Sequence, residues 1–405
     1  MMLIKIAWRN VWRQKLRSLV GIIAVALGLW AGLMVLAFMY GLTNQRIEMI
    51  IGNELSHFQF HHPDFRDNVQ PQFYIPRSDS IVRHLQQNEK VKAVTARAIS
   101  MAMMASPSHT GGAKVVGIDP DSESQATRLD RHIREGNYLP GEYTNSILVS
   151  EKLADKYKLR LGSKVVLTMQ NLDQNFAAGA FKVSGIYKTG NGMFDEMHVF
   201  VMRERLQELL GTESGVQEIA VLLYQNEHAE PEAARYQQLY PDFEVLSWLD
   251  LQPIMRLMID SMDIYTYVFM GIILLALLFS ILNTMLMAVL ERVRELGMLM
   301  AIGMNKQRVF KMILLETLFL AFTGGPIGFL LGWATIWYTG KHGFSLGSYS
   351  ENLSDFGFAA QIHPQLEART YLIVSAMVVI MAVLAAIYPA IKALKLNPSE
   401  AIRKI

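Results

Sequence analysis

The chain has 405 residues, 51% of them hydrophobic and 18% charged, with a formal net charge of +2. That is too apolar for an ordinary soluble enzyme of this length, and so small a net charge gives no basis for a nucleic-acid partner. With Cys 0, disulfides, thiol nucleophiles and cysteine-ligated metals are excluded, so an exported domain must rest on its own hydrophobic core.

Residues 1–18 interleave Ile4, Ile6, Ala7, Val11, Trp12 and Leu16 with Lys5, Arg9, Arg13 and Lys15. This predicts a basic amphipathic helix on the inner leaflet, with Trp8 and Trp12 among the headgroups. The apolar run that follows, residues 19–40, predicts a first transmembrane helix at 19–41. It is longer than the roughly 7 to 15 apolar residues of a signal peptide and lacks a clean small-residue cleavage site, so it is expected to stay attached. Three further runs, residues 264–290, 312–339 and 371–391, have comparable length. At about 1.5 Å per residue each can cross a hydrocarbon core of about 30 Å. The expected fold class is a membrane α-helical protein with four transmembrane helices and a large α+β extracytoplasmic domain inserted between helices 1 and 2.

Residues 42–263 carry that domain and a connecting helix. Segments 91–104, 113–118, 146–150, 164–169, 181–187, 198–202, 216–224 and 243–247 are rich in Val, Ile and aromatic residues and are bounded by turn formers, which predicts strands. Segments 79–87, 151–158, 203–210 and 231–240 have helical apolar spacing. The order places a strand–helix–strand unit at each end, with a strand-rich insertion at about 125–212. Residues 248–263 read as a helix running directly into span two, placed at 264–290.

Lys and Arg set the orientation. Lys5, Arg9, Arg13, Lys15 and Arg17 precede span one without an acid; Arg292, Arg294, Lys306, Arg308 and Lys311 lie in the 291–311 loop; Lys392, Lys395, Arg403 and Lys404 lie in the 392–405 tail. These segments are expected to be cytoplasmic, with both termini inside an inner (cytoplasmic) membrane, and the 340–369 loop outside, between spans at 312–339 and 370–391.

The 291–303 segment has charged Glu291, Arg292, Arg294 and Glu295, then Leu296, Gly297, Met298, Leu299, Ile302 and Gly303. One reading is a solvated connector with its arginines at headgroups. The other is a coupling helix that places Leu296, Met298, Leu299 and Ile302 in a groove of a soluble ATPase, with the charges at the rim and Gly303 ending the helix. Glu316 either snorkels to the inner interface or pairs with a basic or polar group where permeases meet. Asn283 and Thr284 are expected to form hydrogen bonds between helices. Gly324, Gly325, Gly328 and Gly332, with Pro326 among them, form a small-residue stripe suited to close packing, a kink or a hinge. His57, His61 and His62 have no neighbouring cysteine and sit in a stretch that alternates like a strand, so no metal site is expected. No catalytic set stands out, and no phosphate-cradling Gly-rich loop with Lys and Ser or Thr is present. No cofactor is expected in this chain.

Glu291-Arg292-x-Arg294-Glu295-Leu296-Gly297-x-x-x-Ala301-Ile302-Gly303, Glu316, Tyr388-Pro389-Ala390 and Leu396-Asn397-Pro398-Ser399-Glu400-Ala401 resemble the permease signature of the FtsX/MacB-like superfamily of ABC transporters. Ala7-Trp8-Arg9-Asn10, Arg134-Glu135-Gly136-x-Tyr138-Leu139 and Ile147-Leu148-Val149-Ser150-Glu151-x-Leu153-Ala154 also look like this family, and the stretch ending His61-His62-Pro63-x-Phe65 is most similar to the lipoprotein-releasing LolC/LolE type. The resemblance implies a non-catalytic permease subunit, paired with a second copy or a paralogue and driven by a cytoplasmic ABC ATPase dimer that binds the ATP and Mg. It also implies lipoproteins and a periplasmic carrier as partners, and release of lipoproteins toward the outer membrane as the function. The family member that recruits the carrier has an extended hairpin where residues 170–180 are short here. Two alternatives stay open: mechanotransmission that regulates a cell-wall hydrolase, and MacB-like export of a small amphiphile.

Overall fold

The structure, a computed structural model, describes residues 2–13, 15–140, 144–212, 215–345 and 361–394. In chain order its helices and strands begin with α1 (Met2–Arg13), α2 (Lys15–Ile50), β1 (Phe58–His61), α3 (Ser78–Gln86), β2 (Val91–Ala105), β3 (Thr110–Ile118) and α4 (Pro120–Ala126). There follow β4 (Ile133–Gly136), β5 (Ser146–Ser150), α5 (Glu151–Tyr157), β6 (Lys164–Gln170), β7 (Phe176–Tyr187), α6 (Gly192–Asp195), β8 (His198–Met202) and α7 (Arg203–Leu210). The remainder is β9 (Glu218–Leu223), α8 (Ala229–Leu239), β10 (Glu244–Ser247), α9 (Trp248–Leu251), α10 (Pro253–Glu291), α11 (Val293–Ala301), α12 (Lys306–His342), β11 (Phe344–Ser345), β12 (Gln361–Ile362) and α13 (Ala368–Leu394). The chain divides into two compact units, one drawn from Met1–Thr43, Asp260–Phe344 and Gln361–Ile405 and the other from Asn44–Ile259 and Ser345–Ala360.

The first unit is a helix bundle. Four helices, Lys15–Leu55, Pro253–Glu291, Lys306–His342 and Ala368–Leu394, are long and apolar enough to cross a membrane. All four outrun the apolar stretches in the sequence because helical hydrogen bonding continues into their polar flanks. The core seams recur every three or four residues: Ile22, Val25, Leu29, Leu33 and Leu36 on α2; Leu277, Ile281, Met285 and Val289 on α10; Val374, Val378, Ala382 and Ala385 on α13.

Close approach between α2 and α12 depends on glycine. A Cβ on Gly324 would lie 2.7 Å from the Ile22 carbonyl oxygen, one on Gly328 2.5 Å from that of Ala26, and one on Gly332 2.7 Å from Leu33. Such backbone contact is how small residues hold membrane helices together. Gly325 faces open space, so the stripe read from sequence has three members; one residue along a helix is about 100° around it.

The second unit is built on β2, 15 residues long. Its first half pairs antiparallel with β9, and the resulting small sheet has the order β10-β1-β9-β2. Helices α3 and α8 cover that sheet through Ile81, Leu85, Ala233 and Tyr236. Its second half pairs with β3 and, through Met103–Ala105, with β6. Strand β3 pairs with β8, β8 with β5, β5 with β7 and β7 with β6. Six strands thus close on themselves, which leaves no open edge between them. The barrel interior is filled by Ala102, Val115, Val149, Leu167, Phe181 and Val201, among others.

Two expectations are corrected here. Residues 248–263 are not one helix: Gln252 (φ −124°, ψ 74°) separates α9 from α10, because the residue before Pro253 avoids helical backbone. Strand β7 starts at Phe176 rather than at residue 181, recruited by pairing Met169 with Ala177 across a tight hairpin, although Ala177-Ala178-Gly179-Ala180 has little strand propensity of its own. Strand β1 was visible only as an alternation around the histidines. There, His61 Nδ1 faces the Gln217 carbonyl at 3.2 Å and His57 Nδ1 accepts from the Leu223 amide at 3.0 Å.

Arg97 lies on β2 where pairing passes from β9 to β3. It donates to Glu218 at 2.6 Å and to Glu123 at 2.7 and 3.0 Å. Burial disfavours its charge, but the two carboxylates outweigh that and push the guanidinium above its ordinary range.

Candidate coupling site

Helix α10 ends at Glu291, and Arg292 (φ −104°, ψ 14°) breaks it before α11 begins. The far end of α11 is closed by backbone geometry: the Met304 amide donates to the Leu299 carbonyl at 2.9 Å and the Gly303 amide to Met300 at 3.1 Å. Gly303 has φ 102°, the left-handed conformation such a cap requires. The Asn305 side chain then accepts from the Gln307 amide at 3.2 Å and starts α12. The chain therefore turns twice within 14 residues of Glu291 by ordinary capping chemistry.

The charges at this turn are joined into a network inside the chain. Arg292 Nη1 donates to both oxygens of Glu316 at 3.0 and 3.2 Å, and its Nε donates to Glu295 at 3.0 Å. Asn10 Nδ2, on α1, donates to Glu316 at 2.6 Å. Arg13 pairs with Glu295 and Arg17 with Glu291. Helices α1, α2, α10, α11 and α12 are thus tied together. Glu316 is 7% exposed, and a charge at that depth is tolerated only when paired. Burial opposes ionisation of Glu295, but Arg292 and Arg13 hold its carboxyl below its ordinary range.

This geometry revises several roles expected from sequence. Glu316 does not snorkel, and its partners belong to the same chain. Glu291, Arg292 and Glu295 are engaged internally rather than lying free at a rim. Leu296 is 2% exposed and Gly297 is buried, and Leu299 packs against the same bundle core, so Leu296 and Leu299 face inward. The outward strip is Arg294, Met298 and Ile302, at four-residue spacing, with Met298 50% and Ile302 85% exposed. Sequence did not separate the two faces, because apolar side chains occupy both, Leu296 and Leu299 on one and Met298 and Ile302 on the other.

The polar contacts between spans also differ from expectation. Thr284 donates to its own helix at the Ser280 carbonyl, 2.9 Å away. Asn283 is exposed, with no partner among the described residues, because Ile281, Met285 and Val289 take the core-facing side of α10. One observed link runs from Trp30 Nε1 to Thr335 Oγ1 at 3.1 Å, a pair separated too far in the chain for local spacing to reveal. Of the motifs at the carboxyl end, Pro389 and Ala390 are buried within α13, and residues 396–401 lie outside the described residues.

A bundle of membrane-length helices, a short amphipathic helix bound to the ends of two of them, and a separate β-rich unit define a membrane protein of the permease class. Residues 267–398 match the family described as FtsX-like permease C-terminal, and residues 18–239, more than half of the chain, match the MacB-like periplasmic core domain. The chain belongs to the FtsX/MacB-like permeases of ABC transporters. It is 21% identical to the lipoprotein-releasing system transmembrane protein LolC of Neisseria meningitidis over 95% of this chain and 94% of that one. It is 22% identical to LolE of Haemophilus influenzae over 80% of each chain. A macrolide export ATP-binding/permease protein MacB of Syntrophobacter fumaroxidans is 26% identical over 30% of this chain and 16% of that one. Among solved structures, the periplasmic region of MacB from Actinobacillus actinomycetemcomitans is similar at a TM-score of 0.36 and 13% identity, covering 49% of this chain and 92% of that one.

Proposed function

We propose that this chain is the membrane subunit through which a separate cytoplasmic ATPase drives the release of lipoproteins from the inner membrane toward the outer membrane. The observation that carries this reading is α11: an amphipathic helix whose apolar outward strip, Met298 and Ile302, has no cover among the described residues, while its charged root is tied to α1, α10 and α12. A groove in the ATPase takes Met298 and Ile302, and displacement of α11 moves the tied helices as a block. ATP and Mg belong to the ATPase.

In this reading the basic segments put 1–18, 291–311, 392–405 and both termini in the cytoplasm, with spans at 19–41, 264–290, 312–339 and 370–391. Residues 42–263 then form a periplasmic domain between spans one and two, and 340–369 a second outer loop. A second copy or a paralogue covers the outer face of α10, which its exposed mid-span Asn283 supports, since an unsatisfied amide in lipid is costly. Similarity to LolC and LolE supports lipoproteins, handed to a periplasmic carrier, as cargo; similarity to MacB supports export of a small amphiphile as the second reading.

The test is depletion of the chain followed by assay of lipoproteins retained in the inner membrane. The proposal expects accumulation there that the wild-type chain reverses. Normal lipoprotein sorting, with a defect confined to tolerance of amphiphilic compounds, would overturn it in favour of export.

A further inference from the structure

The passage from α2 into β1 carries several unusual features at one place. Beyond Ile50 the backbone changes from α- to π-helical hydrogen bonding over Ile51–Leu55, and the Ser56 amide donates back to the Ile51 carbonyl at 3.0 Å. Such π-turns hold one residue more than an α-turn and recur at functional sites. Ser56 then takes φ 60° and ψ −161°, a region that suits glycine and strains any residue with a Cβ. Its hydroxyl is buried without a hydrogen-bond partner among the described residues, so the side chain does nothing to offset the strain.

Beside this turn is a cavity of about 180 Å3, lined by Asn53, Glu54, Arg97, Lys114, Glu218 and Gln252 among other residues. Its charges are unevenly matched. Arg97 is held by Glu123 and Glu218 at 2.7 and 2.6 Å, and it also donates to the Glu54 carbonyl at 3.0 Å. The Glu54 carboxylate accepts from Asn191. Lys114 has no ion-pair partner within 4.0 Å among the described residues. Burial pushes its ammonium below its ordinary range, against the pull of Glu218 and Glu54. His198, also on the wall, is held neutral by burial, its pKa lowered to about 3. A half-buried cation with room beside it and a carboxylate lining the same cavity describe half of a switch.

We propose that residues 51–56 form a strained two-register hinge. In its second state the π-turn relaxes to α-helical register, Ser56 leaves the left-handed region, and the Glu54 carboxylate crosses the cavity to pair with Lys114. Removing the extra residue of the π-turn rotates the end of the helix by roughly 100°, which changes the wall that Glu54 faces. The cavity supplies the space, and Lys114 supplies the end point. Use of this hinge in coupling rests on the functional reading above; its existence does not.

Hydrogen–deuterium exchange of the purified full-length chain tests it without an ATPase or a cargo. Amides of residues 51–57 should exchange faster than those of β9. Ser56→Gly should slow that exchange several-fold by removing the strain, whereas Ser56→Ala should not. Lys114→Met and Glu54→Gln should each slow it, the double variant no more than either single, and Lys114→Arg should keep the wild-type rate. Exchange as slow as in β9, no effect of Ser56→Gly, or additive effects at Lys114 and Glu54 would overturn the hinge. A chain that folds and exchanges as expected but recruits no ATPase would instead sink the functional reading.

Discussion

At the scale of single residues, the coupling site depends on one carboxylate. Glu316 takes two bonds from Arg292 and one from Asn10, so Glu316→Ala leaves a largely buried guanidinium without its partner. Breaking a buried pair this way costs about 3–5 kcal/mol. Glu316→Ala and Arg292→Ala should each lower the unfolding temperature of the purified chain, and the double variant should lose less than the sum; strictly additive losses would mean that the pair is not coupled. In the β-rich unit, burial raises the Asp195 pKa to about 6, despite bonds from the Thr189 amide and hydroxyl that favour its charge. The folded state therefore holds a proton that the unfolded state has released between about pH 4 and 6, and stability contributed by this group falls as pH rises through that window. Asp195→Asn should be more stable than wild type at pH 7, with the advantage fading toward pH 4. A difference independent of pH would contradict this.

At the scale of elements, what the sequence displayed depended on how local the governing physics is. The membrane-length helices were legible because an apolar run must be continuous to cross lipid, and α3–β2 and β9–α8–β10 were legible because turn formers bound their strands, whereas β1 showed only as an alternation around the histidines. The barrel closure was not, because β2–β6 and β3–β8 pair across long separations. Nor was the partner of Glu316: Asn10 and Arg292 lie in different segments, and no spacing joins them. Charged Arg97 and Glu218 within apolar strands were the one available hint of a buried ion-pair seam. The glycine seam yields a sharper prediction. Gly328→Leu should force α2 and α12 apart and sharply reduce the yield of folded chain, whereas Gly325→Leu, facing open space, should be tolerated. Equal behaviour of the two in detergent solubility and melting would refute the packing assigned to α12.

At the scale of the molecule, the chain passes between its two units inside helices, at Thr43–Asn44 within α2 and Ile259–Asp260 within α10. The central claim is that the outward strip of α11 is where an ATPase takes hold. Its most direct test is quantitative co-purification from native membranes of tagged wild-type chain and a Met298→Asp/Ile302→Asp variant. The account predicts an ATPase bound to the wild-type chain and at least about tenfold less on the variant, the loss expected when apolar anchors of an interface are replaced by charge, with membrane insertion and melting unchanged. An ATPase retained by the variant, or none bound to the wild-type chain, would contradict it.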